Sequence, residues 1–212
     1  MIPKVARAVS WQEASCAVGV LALCFLWFGP LVSLSRTSFS AHMLLHLGLV
    51  LGAAPLIAAL VAARFRTPLT FHDALGWYGL AAAVEMLAVW AWHIPALHDL
   101  AGRAALAFGA EQVSFLLGGA TLWTAIFTAR SLPASIAAIL VVALTFAHMT
   151  MFGLLLAIVP NLLYDPSLCQ GGFGLGPLED QHLGGALMAA GGLAYLTAAA
   201  GLVGRMAWLG AR

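Results

Sequence analysis

Charged residues are scarce in this sequence, and their scarcity excludes most soluble proteins. Asp, Glu, Lys and Arg together make up 8% of the 212 residues, whereas a soluble domain carries about 25%. Hydrophobic residues make up 63% of the chain, and its mean hydropathy is +0.99. The composition therefore indicates an integral membrane protein.

Other absences exclude particular classes of function. The formal net charge is +1, so the chain shows no basic footprint for a nucleic-acid partner. Its three cysteines, Cys16, Cys24 and Cys169, are odd in number and widely spaced, which excludes a CxxC metal motif and predicts no disulfide framework. The chain also lacks HxxHH clusters and a GxS motif beside a usable histidine. A membrane metal-dependent oxidase or hydroxylase is thus a weak alternative, and we expect a protein that is not an enzyme.

Long apolar stretches, separated by charged residues, proline and glycine, predict six membrane spans. Each is close to or above the roughly 20 residues that cross a bilayer as a helix. The predicted spans are residues 14–34, 42–63, 74–92, 104–129, 133–160 and 183–204. The predicted fold class is therefore all-α, a polytopic transmembrane helix bundle that forms one domain over residues 1–212.

Lysine and arginine residues predict the orientation of this bundle, because they are enriched in cytoplasmic connections. With a cytoplasmic N-terminus, only Arg36 and Arg103 lie outside. The basic residues placed inside are Lys4, Arg7, Arg64, Arg66, Arg130, Arg205 and Arg212. Both termini are then predicted to be cytoplasmic, and the outer connections are residues 35–41, 93–103 and 161–182.

Histidines concentrate in the predicted outer half. His42 and His46 lie four residues apart, so they share one face of a helix at the mouth of the second span. His93 ends the third span and His182 begins the sixth. We predict that these four histidines form a metal site. Only His72 falls on the cytoplasmic side.

A further set of residues is predicted to assist as ligands or as partners of ligands. Ionisable groups inside spans are costly and usually face the bundle interior. His148 and Met151 are three apart on one helical face, whereas Met149 and Met188 are assigned to packing. Asp180 either caps the sixth span or fixes the tautomer of a ligand histidine. The set comprises Glu85, Glu111, His98, His148, Met43, Met151 and Asp180.

Imidazole, thioether and carboxylate groups together fit copper better than magnesium or calcium, because nitrogen and sulfur donors select softer ions. Zinc held by histidine and glutamate is an alternative. Haem b is another, since two histidines on different helices can ligate one iron. In that case the protein is a haem-binding membrane protein or an electron carrier.

Several segments resemble the bacterial CtaG-like family of polytopic cytochrome c oxidase assembly factors. They are HMLLHLGLVLGAAPLI (42–57), AWHIPALHDLA (91–101), EQVSFLLGGATLW (111–123), NLLYDP (161–166) and PLEDQHLGGALM (177–188). The WHxP and PLEDQ segments are the most specific. Two features depart from the pattern: Gln112 stands where a histidine is expected after Glu111, and the chain has six spans rather than seven.

The resemblance implies a multi-pass protein of the bacterial inner membrane that helps a haem-copper oxidase to mature, plausibly through its copper centre. The implied partners are an oxidase subunit and other copper-delivery proteins, within the lipid bilayer. Homo-oligomerisation is left open. The metal site is then expected to face the periplasm.

Overall fold

The computed structural model of the protein describes residues 9–65 and 69–210, and it contains no strand within these ranges. The helices are α1 (Trp11–Phe28), α2 (Pro30–Leu34), α3 (Phe39–Leu47), α4 (Ala54–Ala62), α5 (Phe71–Trp92), α6 (Pro95–Arg103), α7 (Ala105–Thr128), α8 (Leu132–Ile158), α9 (Pro177–Gly191) and α10 (Leu193–Gly210). A π-helical segment, Gly48–Ala53, joins α3 to α4. The all-α prediction is confirmed.

Six helical stretches in the described part of the chain are long and apolar enough to cross a membrane, as predicted. They are Trp11–Leu34, Phe39–Ala62, Phe71–Trp92, Ala105–Thr128, Leu132–Ile158 and Pro177–Trp208. The second stretch begins three residues before the predicted span and the sixth begins six residues before it. His42 and His182 therefore lie inside their helices rather than at the first residue.

The predicted orientation rests partly on residues outside the described ranges. Lys4, Arg7, Arg66 and Arg212 all fall there. The cytoplasmic placement of the two termini therefore stays a prediction.

Hydroxyl side chains cap the starts of several helices. The Ser10 hydroxyl accepts from the Glu13 backbone N–H, and Thr70 does the same for Asp73 at the start of α5. Ser38 caps α3 by accepting from the backbone N–H of Ala41. Such N-caps satisfy amides that the helix cannot, so they fix where these three helices start.

Glycines allow α8 and α9 to approach closely. A Cβ on Gly153 would lie 2.4 Å from the backbone nitrogen of Ala189, and one on Gly185 would lie 2.5 Å from that of Ala157. Small residues permit such packing where lipid offers no hydrophobic driving force. The first span is peripheral, since only 6% of its apolar window is buried.

The π-helical segment has a definite cause in the sequence. The Ala54 N–H donates to the carbonyl of Leu49, five residues back, which leaves the Val50 carbonyl without its α-helical donor. Pro55 has no N–H to continue the π pattern. The indole N–H of Trp123 in α7 donates to the Val50 carbonyl instead, at 2.8 Å. This bond fixes the second span against α7 below the histidines.

Candidate metal centre

Three buried side chains from two spans converge at one end of the bundle. His42 and His46 project from α3, and Glu111 projects from α7. One ligand atom from each lies within 4.8 Å of the other two. Their exposed fractions are 4%, 5% and 0% respectively. We call this set the outer centre.

The spacing of the donors suits a single metal ion. The Nε2 atom of His42 lies 3.0 Å from Glu111 Oε1, and that of His46 lies 3.6 Å from the same oxygen. Donors that bind one ion at about 2.0–2.2 Å are separated by roughly 3.0–3.5 Å. Small side-chain adjustments would therefore bring all three atoms onto a common ion.

His42 is already oriented as a metal ligand. Its Nδ1–H donates to the Ser35 carbonyl at 3.3 Å, and its Nε2 atom faces Glu111 Oε1 at 3.0 Å. Ligand histidines commonly donate their second ring nitrogen to a carbonyl in this way. A proton on Nε2 joins the two atoms in the absence of metal, and a metal ion bound between them would take the place of that proton.

Gln112 contacts two residues of the outer centre. Its position after Glu111 in the sequence did not reveal these contacts. Its amide N–H group lies 3.1 Å from Glu111 Oε2 and 3.3 Å from His46 Nε2. The His46 Nδ1 atom has no hydrogen-bond partner within the described ranges. The amide therefore contacts both Glu111 and the Nε2 atom of His46, and it stands beside the centre where another imidazole would add a ligand.

His98, on the connecting helix α6, packs against the outer centre. Its ring centroid lies 5.0 Å from that of His42 and 4.1 Å from that of Tyr164. Neither ring nitrogen has a hydrogen-bond partner in the described part of the chain. Burial, followed by the neighbouring His42, lowers the pKa of His98. This histidine is thus kept neutral, with a lone pair available beside the centre.

His93, the C-cap of α5, lies one layer deeper. Its Nδ1–H donates to the Val89 carbonyl at 2.6 Å, and its Nε2 atom lies 3.3 Å from the Met43 sulfur. The His93 and His46 ring centroids are 6.1 Å apart. His93 is therefore a neighbour of the outer centre, but its donor nitrogen points to a different space.

A second buried pair lies further along the spans. Glu85 of α5 accepts from the His148 Nε2–H of α8 at 3.1 Å. Glu85 Oε1 and His148 Nδ1 are buried without hydrogen-bond partners among the described residues. The expectation that ionisable groups in these spans face the interior is confirmed for Glu85, Glu111 and His148.

Two predicted ligands lie apart from the histidines. The His182 Nε2–H donates to the Val159 carbonyl at 2.8 Å, within the α8–α9 connection, because α9 begins at Pro177 and turns this ring towards the end of α8. Met151 is 50% exposed. The expectation that Met151 shares a cavity with His148 is wrong, because the buried face of α8 includes Met149 instead.

Asp180 binds no histidine in the described ranges, so its suggested role in fixing a tautomer is not what the structure shows. Its carboxylate accepts from the backbone N–H of Phe39 at 2.7 Å, from that of Ser40 at 3.4 Å, and from the hydroxyls of Ser38 and Ser40. It therefore caps α3 rather than its own helix. Glu179 caps α9 by accepting from the Gly176 N–H. Asp180 thus positions the helix that carries His42.

Comparison with known proteins gives a family but no individual relative. Neither the search of curated proteins nor the search of solved structures returned a match. A family model described as cytochrome c oxidase caa3 assembly factor (Caa3_CtaG) matches residues 3–208. The match covers nearly the whole chain, including every span and every residue of the outer centre. The chain therefore belongs to the family of cytochrome c oxidase caa3 assembly factors.

Proposed function

We propose that this assembly factor holds copper at the outer centre and assists its insertion into a caa3-type cytochrome c oxidase. The observation that carries the proposal is the convergence of His42, His46 and Glu111 in a fully buried cluster of suitable donor spacing. Family membership supplies the process. The donor set supplies the chemistry, because imidazole nitrogen binds copper well.

Charge balance supports a bound cation. Glu111 is fully buried within a span, and an ionised carboxylate in such a place needs a compensating positive charge. Its oxygens face two imidazoles and an amide. A copper ion held by these groups would supply that positive charge.

Packing around the histidines favours a single ion over haem b. The His46 ring stacks on Phe115 at a centroid distance of 4.0 Å, and the His42 ring lies 4.3 Å from His46. The cavity beside His46 and His93 has a volume of about 20 Å³. This space is suitable for an ion or a water molecule and is too small for a porphyrin.

The proposed orientation places the outer centre on the periplasmic side of a bacterial inner membrane. The excess of lysine and arginine at the opposite end of the spans supports it. A reporter fused after Arg212 is then active only in the cytoplasm, and one inserted near Gly174 is active only outside. The opposite pattern would remove the centre from the compartment that the proposal requires.

The function is tested in cells that lack this chain. Wild type, His46→Ala and His72→Ala are supplied in turn, and the copper and haem contents of the purified oxidase are measured. His72 is exposed near the other end of α5, so it is the matched control. We expect His46→Ala to give an oxidase with its haem but depleted of copper. Equal copper contents with all three proteins would overturn the proposal.

A further inference from the structure

We infer that the chain has a second, deeper metal subsite, which binds a monovalent soft cation, Cu(I), in the cavity between His93 and Glu85. The inference rests on the proposed function, since it specifies the form of copper that this chain handles. The cavity is lined by Met43, Met149 and Met188, with His46, His93 and Glu85 beside them and apolar side chains completing the wall.

Thioethers provide the first argument. Met43, Met149 and Met188 come from α3, α8 and α9, and each is at most 3% exposed. Methionine often fills gaps in a core, but here three of them surround a space of about 20 Å³. A volume above roughly 10–15 Å³ holds one small occupant. Thioether sulfur selects Cu(I) among the first-row metals.

The contact between His93 and Met43 provides the second argument. Because the His93 Nδ1–H donates to the Val89 carbonyl, the neutral ring has a lone pair and no hydrogen on Nε2. That nitrogen lies 3.3 Å from the Met43 sulfur, which also carries only lone pairs. Two acceptors therefore face each other at the wall of the cavity. A cation that binds both of them satisfies this arrangement.

Glu85 provides the third argument and indicates the charge of the ion. It is 1% exposed and lines the cavity, and its Oε1 atom has no hydrogen-bond partner in the described part of the chain. Its other oxygen accepts from the Nε2–H of His148. One carboxylate balances one monovalent cation, which leaves the buried site neutral, as the membrane interior favours. A divalent ion would leave a net positive charge.

His46 connects the two sites. Its Nε2 atom lies 3.6 Å from Glu111 in the outer centre, and the same residue lines the inner cavity. A Cu(I) ion can therefore pass between the sites by ligand exchange, in which one metal–donor bond forms as another breaks. The copper keeps its oxidation state throughout, so the transfer needs no reductant.

The subsite is tested on the purified full-length protein loaded with Cu(I). X-ray absorption should show sulfur scatterers around the copper. Met149→Leu and Met188→Leu conserve volume, and each should remove part of the sulfur signal and lower Cu(I) affinity by about 10-fold or more in competition with a chelator. Met151→Leu, two residues from Met149 on the exposed face of α8, is the control and should match wild type.

This experiment distinguishes failure of the subsite proposal from failure of the outer-centre proposal. Wild-type Cu(I) protein without sulfur scatterers would overturn the subsite whatever the variants do, and so would unchanged affinity in both Met149→Leu and Met188→Leu. Glu111→Gln reports on the outer centre, because it removes a ligand there and no side chain of the inner cavity. If Glu111→Gln left all copper binding unchanged while the methionine variants reduced it, the outer centre would fall and the subsite would stand.

Discussion

Asp180 offers a sharp test of how the fold positions the outer centre. Its carboxylate is fully buried and binds the first turn of α3 across the bundle. In Asp180→Ala the backbone N–H groups of Phe39 and Ser40 lose this acceptor. The two serine hydroxyls lie 3.3 Å apart and can still bond to each other. The main loss therefore comes from two buried amides.

An unsatisfied buried donor costs about 1–3 kcal/mol, so Asp180→Ala should lower the free energy of unfolding by about 2–6 kcal/mol. Asp180→Asn keeps one carbonyl acceptor and should cost less. The free energy is measured by reversible unfolding in mixed SDS and detergent micelles. The copper affinity of the folded variant should also fall by about 10–100-fold, as when a group that orients a ligand is lost.

Glu179→Ala is the matched control. This neighbouring carboxylate is exposed and accepts one N–H, from Gly176 of its own helix, and loss of such a cap costs about 0.5–2 kcal/mol. Within the described part of the chain it makes no hydrogen bond to α3. If Asp180→Ala destabilised the protein no more than Glu179→Ala, the assignment of Asp180 as the cap of α3 would be wrong.

Three further substitutions test other parts of the structure. Gln112→His places an imidazole beside Glu111 and should raise copper affinity about 10-fold in chelator competition. An affinity no higher than that of wild type would show that residue 112 is not at a ligand position. Gly185→Ala inserts a Cβ 2.5 Å from the backbone of α8 and should lower the melting temperature. In the control Gly79→Ala the new Cβ meets no other atom within 4 Å, so the melting temperature should be equal or higher. Trp123→Phe leaves the Val50 carbonyl without its donor and should cost about 1–3 kcal/mol of unfolding free energy; a value near zero would refute the account of the π-helical segment.

Hydropathy was sufficient to predict the spans, because a bilayer requires each span to be apolar and helical. The HxxxH spacing was sufficient to pair His42 with His46, since helical geometry places them on one face. Glu111 was ranked only as an assisting residue, although it completes the outer centre. Its depth in the span identified it as buried, but sequence spacing within one helix carries no information about contacts between helices.

The positions of Met151 and Met149 show where periodicity fails. Met151 is offset from His148 by about 60° around the helix and Met149 by about 100°, yet Met149 is buried and Met151 is exposed. The close packing of α8 on α9 decides which side is buried. Since that packing depends on glycines in both helices, the pattern within α8 alone did not predict it.

His182 shows a comparable limit at a helix start. A span beginning near residue 183 would leave this ring at the mouth of the bundle. Pro177 and Glu179 start α9 earlier, and the ring then donates to the Val159 carbonyl. Helix starts depend on capping in the connection, whereas hydropathy reports the length of the apolar core.

The central claim is that copper binds at the outer centre, and copper content measured on purified protein tests it most directly. Wild type, His46→Ala and His72→Ala are purified in the same detergent, loaded with copper, passed over a desalting column and assayed by elemental analysis and visible absorption. We predict that wild type and His72→Ala retain copper, that His46→Ala retains much less although it remains folded, and that none shows a strong Soret band. Equal copper in His46→Ala and wild type, or a Soret band with stoichiometric iron, would contradict the claim.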